Sequence, residues 1–153
     1  MDDLVRWLGE QLDEDERITR AAGGAAWEEL PVSGWVHTAP LPATEWQPPG
    51  YDHHVASAPL VEDRAHIVAH DPARVLREID AKRQVLAKYV KAVERIEELA
   101  TLCERLKAEG RDTLMPEMER ATAIHRRDVL HEVLRLHALP YVDRPGFRDE
   151  WRP

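Results

Sequence analysis

The sequence predicts a mainly α-helical fold: a long central helix with the N- and C-terminal helices packed along it, plus a small β-hairpin or irregular segment. Three observations predict this fold. Apolar residues recur at three- and four-residue steps between residues 75 and 106, which places them on one face of a helix. Similar spacing recurs near both ends of the chain. Residues 27–61 hold six of the eleven prolines, a composition typical of turns and edge strands.

Length and composition fit a single domain over residues 1–153. With 43% hydrophobic and 33% charged residues, the chain can bury a core without a metal or a disulfide. No apolar run approaches the roughly 20 residues of a membrane span, and the first residues are acidic where a signal peptide is basic. Cys103 is the single cysteine. We therefore expect a cytoplasmic protein without a membrane partner.

The net charge of -8 is unevenly distributed. Residues 1–20 carry seven acids and three bases, residues 21–63 six acids and no base, and the remainder sixteen acids and eighteen bases. The net charges of the three parts are therefore -4, -6 and +2. We expect the acidic and basic parts to pack on each other and offset each other's field. The alternative is an acidic factor that mimics DNA and occupies a nucleic-acid-binding protein.

The first predicted helix covers residues 1–22. Asp2 or Asp3 can accept hydrogen bonds from the free amides of its first turn, and the glycine pair at 23 and 24 ends it. Its apolar residues lie near one face and its acids largely on the other, which is typical of a helix that packs with one side.

Residues 25–61 form the Trp/Pro-rich segment, for which we expect a loose hairpin, a meander of short strands or irregular structure. Its prolines exclude a central strand, so any sheet is small. We expect its tryptophans to anchor the segment by packing rather than to stack on bases, because no basic residue lies among them. These tryptophans are Trp27, Trp35 and Trp46.

A short helix over residues 62–69 precedes the long helix, which is predicted over residues 71–108. Asp71 is a favourable N-cap, and Pro72 occupies the first helical position, where its missing N–H costs nothing. At 1.5 Å per residue the long helix spans roughly 55 Å, more than a compact domain of this size needs. Part of its apolar stripe must therefore meet another helix of this chain or of a second copy.

The chain is predicted to return along the long helix. Gly110 ends that helix, and Pro116 begins a last helix over residues 116–138, whose apolar positions suit an antiparallel return. Residues 139–153 contain three prolines and cannot be helical throughout. We expect an extended C-terminal strap docked by its three aromatic residues. These are Tyr141, Phe147 and Trp151.

Three separated blocks carry a resemblance to a known family. They are DDLVRWLGEQLDEDERITRAA, HIVAHDPARVLREIDAKRQVLAKY and VLRLHALPYVDRPGFRDEWRP, which together cover about half of the chain. In order and content they resemble the DUF6221 family of small proteins from Streptomyces, other actinobacteria and their phages. The resemblance implies an actinobacterial or phage origin and no particular activity, ligand or partner. Arg144 replaces the histidine expected before the proline of the tail, which argues against a histidine site there.

His66 and His70 are candidate metal ligands. Four residues apart on a helix, their imidazoles share one face and can supply two ligands to a divalent metal such as zinc. Glu62, Asp63 or Asp71 could add a carboxylate. Because no glutamate lies inside the pair, as it does in H-E-x-x-H, the alternative is that one ring packs and the other contributes to the turn.

Four basic residues form a candidate interaction surface on the predicted long helix. They lie close to one face, roughly opposite the apolar stripe, and could contact the phosphates of a nucleic acid. The alternative is a solvated face supported by acid–base pairs along the helix, which the negative net charge favours. The four residues are Arg77, Lys88, Lys91 and Arg95.

No motif in the sequence indicates catalysis. Neither serine lies in a G-x-S-x-G setting, and there is no glycine-rich phosphate loop. We therefore expect no enzymatic activity and no cofactor, with a metal at the histidine pair as the alternative. The function we expect is that of a small helical accessory protein that binds a protein partner or associates with itself.

Overall fold

The computed structural model describes residues 2–30, 34–38, 54–58 and 60–153, and in these residues it confirms the predicted mainly helical fold with a small sheet. The elements are α1 (Asp3–Ala21), β1 (Trp27–Leu30), β2 (Trp35–Thr38), β3 (His54–Ser57), α2 (Val61–Ala69), α3 (Pro72–Ala108) and α4 (Leu114–Ala138). Two short 3-10 turns follow, Leu139–Tyr141 and Asp149–Trp151.

The long central helix is continuous over 37 residues. The Asp71 carboxylate caps it by accepting a hydrogen bond of 2.6 Å from the backbone N–H of Arg74, and Pro72 is its first residue. Gly110 has a φ of 67° just beyond its end, a backbone conformation that glycine adopts without steric strain. The start and stop signals in the sequence therefore act as predicted.

The described residues form two compact units, which we treat separately. The first consists of Met1–Leu12 and Ala81–Pro153, and the second of Asp13–Asp80. The single domain over residues 1–153 stays a prediction.

In the first unit, the start of α1 and the later part of α3 pack with α4 around an apolar core. Five leucines of this unit have no exposed surface, and Cys103 lies among them with 3% of its surface exposed. Burial of this apolar area is the main stabilising term of the unit. The fully buried leucines are Leu4, Leu8, Leu12, Leu99 and Leu134.

The C-terminal tail docks on α1 through its aromatic residues; the sequence predicts docking by these residues but not its target. The Trp7 ring lies 5.7 Å from the Phe147 ring and 5.1 Å from the Trp151 ring between centroids. The predicted extended strap contains two 3-10 turns, so it is not extended along its whole length. Pro140 lies in the first of them, where its fixed φ suits the turn and its missing N–H costs little.

The last helix begins at Leu114, two residues before the predicted Pro116. The Asp112 carboxylate accepts a hydrogen bond of 3.0 Å from the backbone N–H of Leu114. The hydroxyl of Thr113 donates to the Glu117 carboxylate over 3.1 Å. The Asp112 carboxylate satisfies a backbone N–H of the first turn that lacks a partner inside the helix, so the helix extends upstream of the proline.

In the second unit, β1, β2 and β3 form an antiparallel sheet in that order. Val36 and His37 of the middle strand are fully buried, with an irregularity between them in the pairing to β3. Arg64 of α2 is buried and donates to the Glu29 carboxylate over 2.6 Å and to the Ala58 carbonyl over 2.7 Å. The part of the Trp/Pro-rich segment over residues 39–53, with Trp46, lies outside the described residues.

Candidate functional site

One side of α4 exposes a row of residues, which we call the outer face of α4. The row follows steps of three and four residues, so its members lie along one helical face, and all seven are exposed. The opposite side of the helix buries Ala123, Leu134 and Ala138 in the core. The outer face consists of Met115, Met118, Thr122, His125, Val129, Glu132 and Leu136.

The apolar content of this face is unusual for exposed surface. Exposed fractions are 70% for Met115, 58% for Met118, 50% for Val129 and 54% for Leu136. A shallow depression of about 320 Å³ lies at the N-terminal end of the face, lined by Met115, Met118 and Thr122 with two neighbours. Single exposed apolar residues are normal, but a group of them aligned on one face is typical of an interaction surface.

A second feature is a groove between α3 and α4, which we call the basic groove. Its volume is about 440 Å³, and none of the described residues that line it is acidic. Small side chains at Ala92 and Ala123 leave space between the two helices, and both are buried. The lining residues are Lys88, Lys91, Ala92, Arg95, Ala123, Arg126 and Leu130.

The structure brings three of the four predicted basic residues together in this groove. Lys88, Lys91 and Arg95 line it, whereas Arg77 does not. Arg126 completes the groove from α4. The sequence analysis missed it, because the spacing of residues along one helix does not show which residues of a neighbouring helix lie beside them. An antiparallel return was predicted, but the rotation of one helix about its axis against the other was not.

The basic residues of the groove differ in their availability. Arg95 is committed within the chain, because it donates to the carboxylates of Glu119 and Glu98 over 3.0 Å each. These hydrogen bonds, first to Glu119 and then to Glu98, raise the pKa of the Arg95 guanidinium. Lys88, Lys91 and Arg126 form no ion pair in the part of the chain that the structure describes. The net positive charge of the groove therefore comes mainly from these three.

The two predicted metal ligands lie side by side at the C-terminal end of α2. The ring centroids of His66 and His70 are 4.2 Å apart, and both residues are exposed. The His70 Nδ1 lies 2.8 Å from the backbone carbonyl oxygen of His66. Within the described ranges no third histidine, cysteine or carboxylate joins them in a metal-binding group. The metal site stays a prediction at this point.

Sequence reasoning missed a polar network at the start of α1. The Asp2 carboxylate accepts a hydrogen bond of 3.1 Å from the Tyr89 hydroxyl and lies 3.1 Å from Nε2 of His131. Burial, followed by the charge of Asp2, raises the pKa of Tyr89 to about 12, so the hydroxyl stays protonated and donates at neutral pH. The network ties α1 to α3 and α4 within the first unit.

The described residues thus form a mainly helical protein with a small antiparallel sheet, and the surfaces above lie on its helices. Within the described residues, no helix combines the length and the apolar character needed to cross a bilayer. The family model of DUF6221, described as a family of unknown function, matches residues 1–153. The chain therefore belongs to this family. Searches among curated proteins and among solved structures found no match.

Proposed function

We propose that this protein acts in the cytoplasm, without catalysis, by associating with a second copy of itself through the outer face of α4. The observation that carries the proposal is the alignment of four exposed apolar side chains on one helical face. Their burial against a partner would remove apolar surface from water, which stabilises association. A repeat of three and four residues suits a partner that is itself a helix with the same spacing.

Charge favours a second copy as the partner. Glu119 and Arg126 are seven residues apart and therefore lie on the same side of the outer face. In an antiparallel pair with its twofold axis near residues 122–124, Glu119 of each copy approaches Arg126 of the other. The same axis places Met118 against Val129. The surface is thus self-complementary, as a twofold symmetric dimer requires.

The internal partner of Glu119 does not prevent this pairing. Glu119 is bound by Arg95 over 3.0 Å, yet 59% of its side chain remains exposed. Each carboxylate oxygen can accept a second hydrogen bond. The Glu119 carboxylate can therefore hold Arg95 of its own copy and Arg126 of the other together.

A double substitution on the outer face tests the proposal. We expect the wild-type chain to sediment at twice its monomer mass of 17.6 kDa. Met118→Glu combined with Val129→Glu should give a monomer, because each dimer would then bury four carboxylates at an apolar seam. Sedimentation equilibrium over a range of concentrations measures both masses.

The control substitution is Val61→Glu on α2, which replaces an equally exposed apolar residue outside the outer face, with 59% of its surface exposed. It should leave the dimer intact. A wild-type mass of 17.6 kDa at all concentrations contradicts the proposal. Equal dissociation by Val61→Glu also contradicts it.

The acidic DNA-mimic alternative stays a prediction.

A second candidate function is contact with phosphates of a nucleic acid, which the basic groove favours. Lys88, Lys91 and Arg126 converge there without an acidic lining residue. None of the described residues that line the groove is aromatic, so these residues offer bases no stacking surface. Any recognition would depend on phosphate charge and would weaken steeply with salt.

Gel retardation at low salt tests this candidate. We expect the wild-type chain to retard a duplex DNA or RNA probe in about 50 mM salt and to release it near 200 mM. Lys88→Gln with Lys91→Gln should abolish the shift. Lys107→Gln, at an exposed lysine paired with Glu117 over 3.3 Å, is the matched control. No retardation of either probe at low salt removes this candidate.

A further inference from the structure

We propose that His66 and His70 form a two-ligand site for a divalent transition-metal ion of the zinc and copper class. The site lies at the C-terminal end of α2, in the second unit. It is separate from the outer face of α4 and does not depend on the proposed self-association. Four observations carry the proposal: the tautomer of one ring, the spacing of the two rings, their exposure and the local backbone field.

The hydrogen bond at His70 fixes the tautomer of its ring. A backbone carbonyl oxygen can only accept, so Nδ1 of His70, 2.8 Å from the His66 carbonyl oxygen, carries the proton. In the neutral ring the lone pair then resides on Nε2. Metal-binding histidines typically donate their other ring N–H to a carbonyl or carboxylate in this way, which orients the ring and raises its basicity. His70 is therefore oriented as a ligand before any metal binds.

The spacing of the two rings suits one ion. At a zinc–nitrogen distance of about 2.0–2.1 Å, two tetrahedral ligand atoms lie roughly 3.3 Å apart. The ring centroids are 4.2 Å apart with an interplanar angle of 36°, so rotation about the side-chain bonds can open the rings until one nitrogen of each faces the same ion. Both residues are exposed, which gives an ion direct access.

The end of α2 also provides a favourable field. His70 is the C-cap of this helix, at the end of the helix dipole that carries partial negative charge and favours a cation. Arg74 lies at the same end and donates to the Ala69 carbonyl over 2.7 Å. Its charge is offset by Glu78, which accepts from Arg74 over 2.8 Å.

The ligand count determines which ions bind. Two imidazoles with no third ligand among the described residues leave the other coordination positions to water or to a donor from another molecule. Nitrogen ligands favour copper(II), nickel(II) and zinc over magnesium and calcium, which prefer oxygen. The expected order of affinity is copper(II), then nickel(II) and zinc, with no binding of magnesium.

Zinc titration of the full chain, followed by NMR of the histidine ring signals, tests the site directly. We expect the ring signals of His66 and His70 to shift together and to saturate at one zinc per chain. His137, half-buried on α4 and outside its outer face, is the internal control, and its signals should not move at that stoichiometry. Calorimetric titration with zinc chloride and magnesium chloride gives the affinity and the selectivity.

Single substitutions separate a two-ligand site from adventitious binding by one histidine. His66→Ala and His70→Ala should each weaken zinc binding by at least tenfold, whereas His137→Gln should leave it unchanged. Because the two residues are exposed, circular dichroism should show unaltered helix content in each variant. Equal zinc affinity in the double variant His66→Ala/His70→Ala overturns the proposal. So does a wild-type chain whose His66 and His70 signals stay unmoved by excess zinc.

Discussion

Trp7→Ala is expected to lower the free energy of unfolding of the first unit by about 3 to 5 kcal/mol, the range for deleting a large buried aromatic side chain. Trp7 has 7% of its surface exposed and contacts the rings of Tyr141, Phe147 and Trp151. Its Nε1 donates a hydrogen bond of 3.0 Å to the Pro145 carbonyl. The substitution therefore removes one packed side chain and also releases the tail from α1.

The backbone of the tail lies close to the Trp7 indole. Gly146 has a φ of 85°, and a Cβ built on it would lie 3.0 Å from Nε1 of Trp7. A side chain at position 146 would therefore press on the indole, and the positive φ adds strain for any residue other than glycine. The hydrogen bond from Trp7 to the adjacent Pro145 carbonyl holds the tail backbone at that position.

Urea unfolding followed by far-ultraviolet circular dichroism measures the effect. Trp7→Phe keeps an aromatic ring but loses the donor to Pro145, so its loss of stability should be smaller than that of Trp7→Ala. Trp35→Ala is the matched control, since 39% of the Trp35 surface is exposed, and its effect on this unit should be within about 0.5 kcal/mol. Similar losses for Trp7→Ala and Trp35→Ala would show that Trp7 does not hold the tail.

Local signals in the sequence were sufficient for the helices. The Asp71-Pro72 start and the Gly110 stop act over a few residues and do not depend on the rest of the chain. The docking of the tail aromatics was also predictable as a class of contact. Their target was not, because a periodic apolar pattern identifies the buried face of α1 without identifying what covers it. That Trp7 is the contact follows only from three-dimensional packing.

The candidate sites were less predictable for the same reason. Lys88, Lys91 and Arg95 share a face of one helix, and the sequence grouped them by spacing alone. Arg126 enters from α4, and its place depends on the rotation of that helix, which single-sequence periodicity leaves open. The Asp2 contact to Tyr89 joins residues 87 positions apart. Side chains so distant carry no local signal of their pairing.

Arg64→Met is expected to produce the second large effect, a loss of about 2 to 4 kcal/mol confined to the second unit. The Arg64 side chain is 10% exposed and that of Glu29 29% exposed, so the pair is largely removed from water. Arg64 also donates to the Ala58 carbonyl over 2.7 Å. Removing only the cation leaves a partly buried carboxylate and a carbonyl without this donor, which costs far more than breaking an exposed pair.

Hydrogen exchange of the backbone amides in β1 and β2 measures the local effect. Faster exchange is expected there in Arg64→Met, with exchange in α4 unchanged. Arg74→Met, which breaks an exposed pair to Glu78 with both side chains at least 44% exposed, should change exchange in β1 and β2 little, since such pairs contribute about 0 to 1 kcal/mol.

The double variant Arg64→Met/Glu29→Met decides the physical cause. If the loss comes from the unpaired Glu29 carboxylate, removing that charge as well should restore much of the stability, because apolar side chains often replace buried ion pairs at little cost. If the loss comes from the bond to Ala58 and from packing, the double variant should be as unstable as Arg64→Met alone. We expect recovery, because Glu29 is the charged partner of Arg64 and hydrogen bonds to charged groups are the stronger kind. The ion pair between Arg64 of α2 and Glu29 of β1 then stabilises the sheet. Removing one member of the pair costs much stability, whereas removing both costs little.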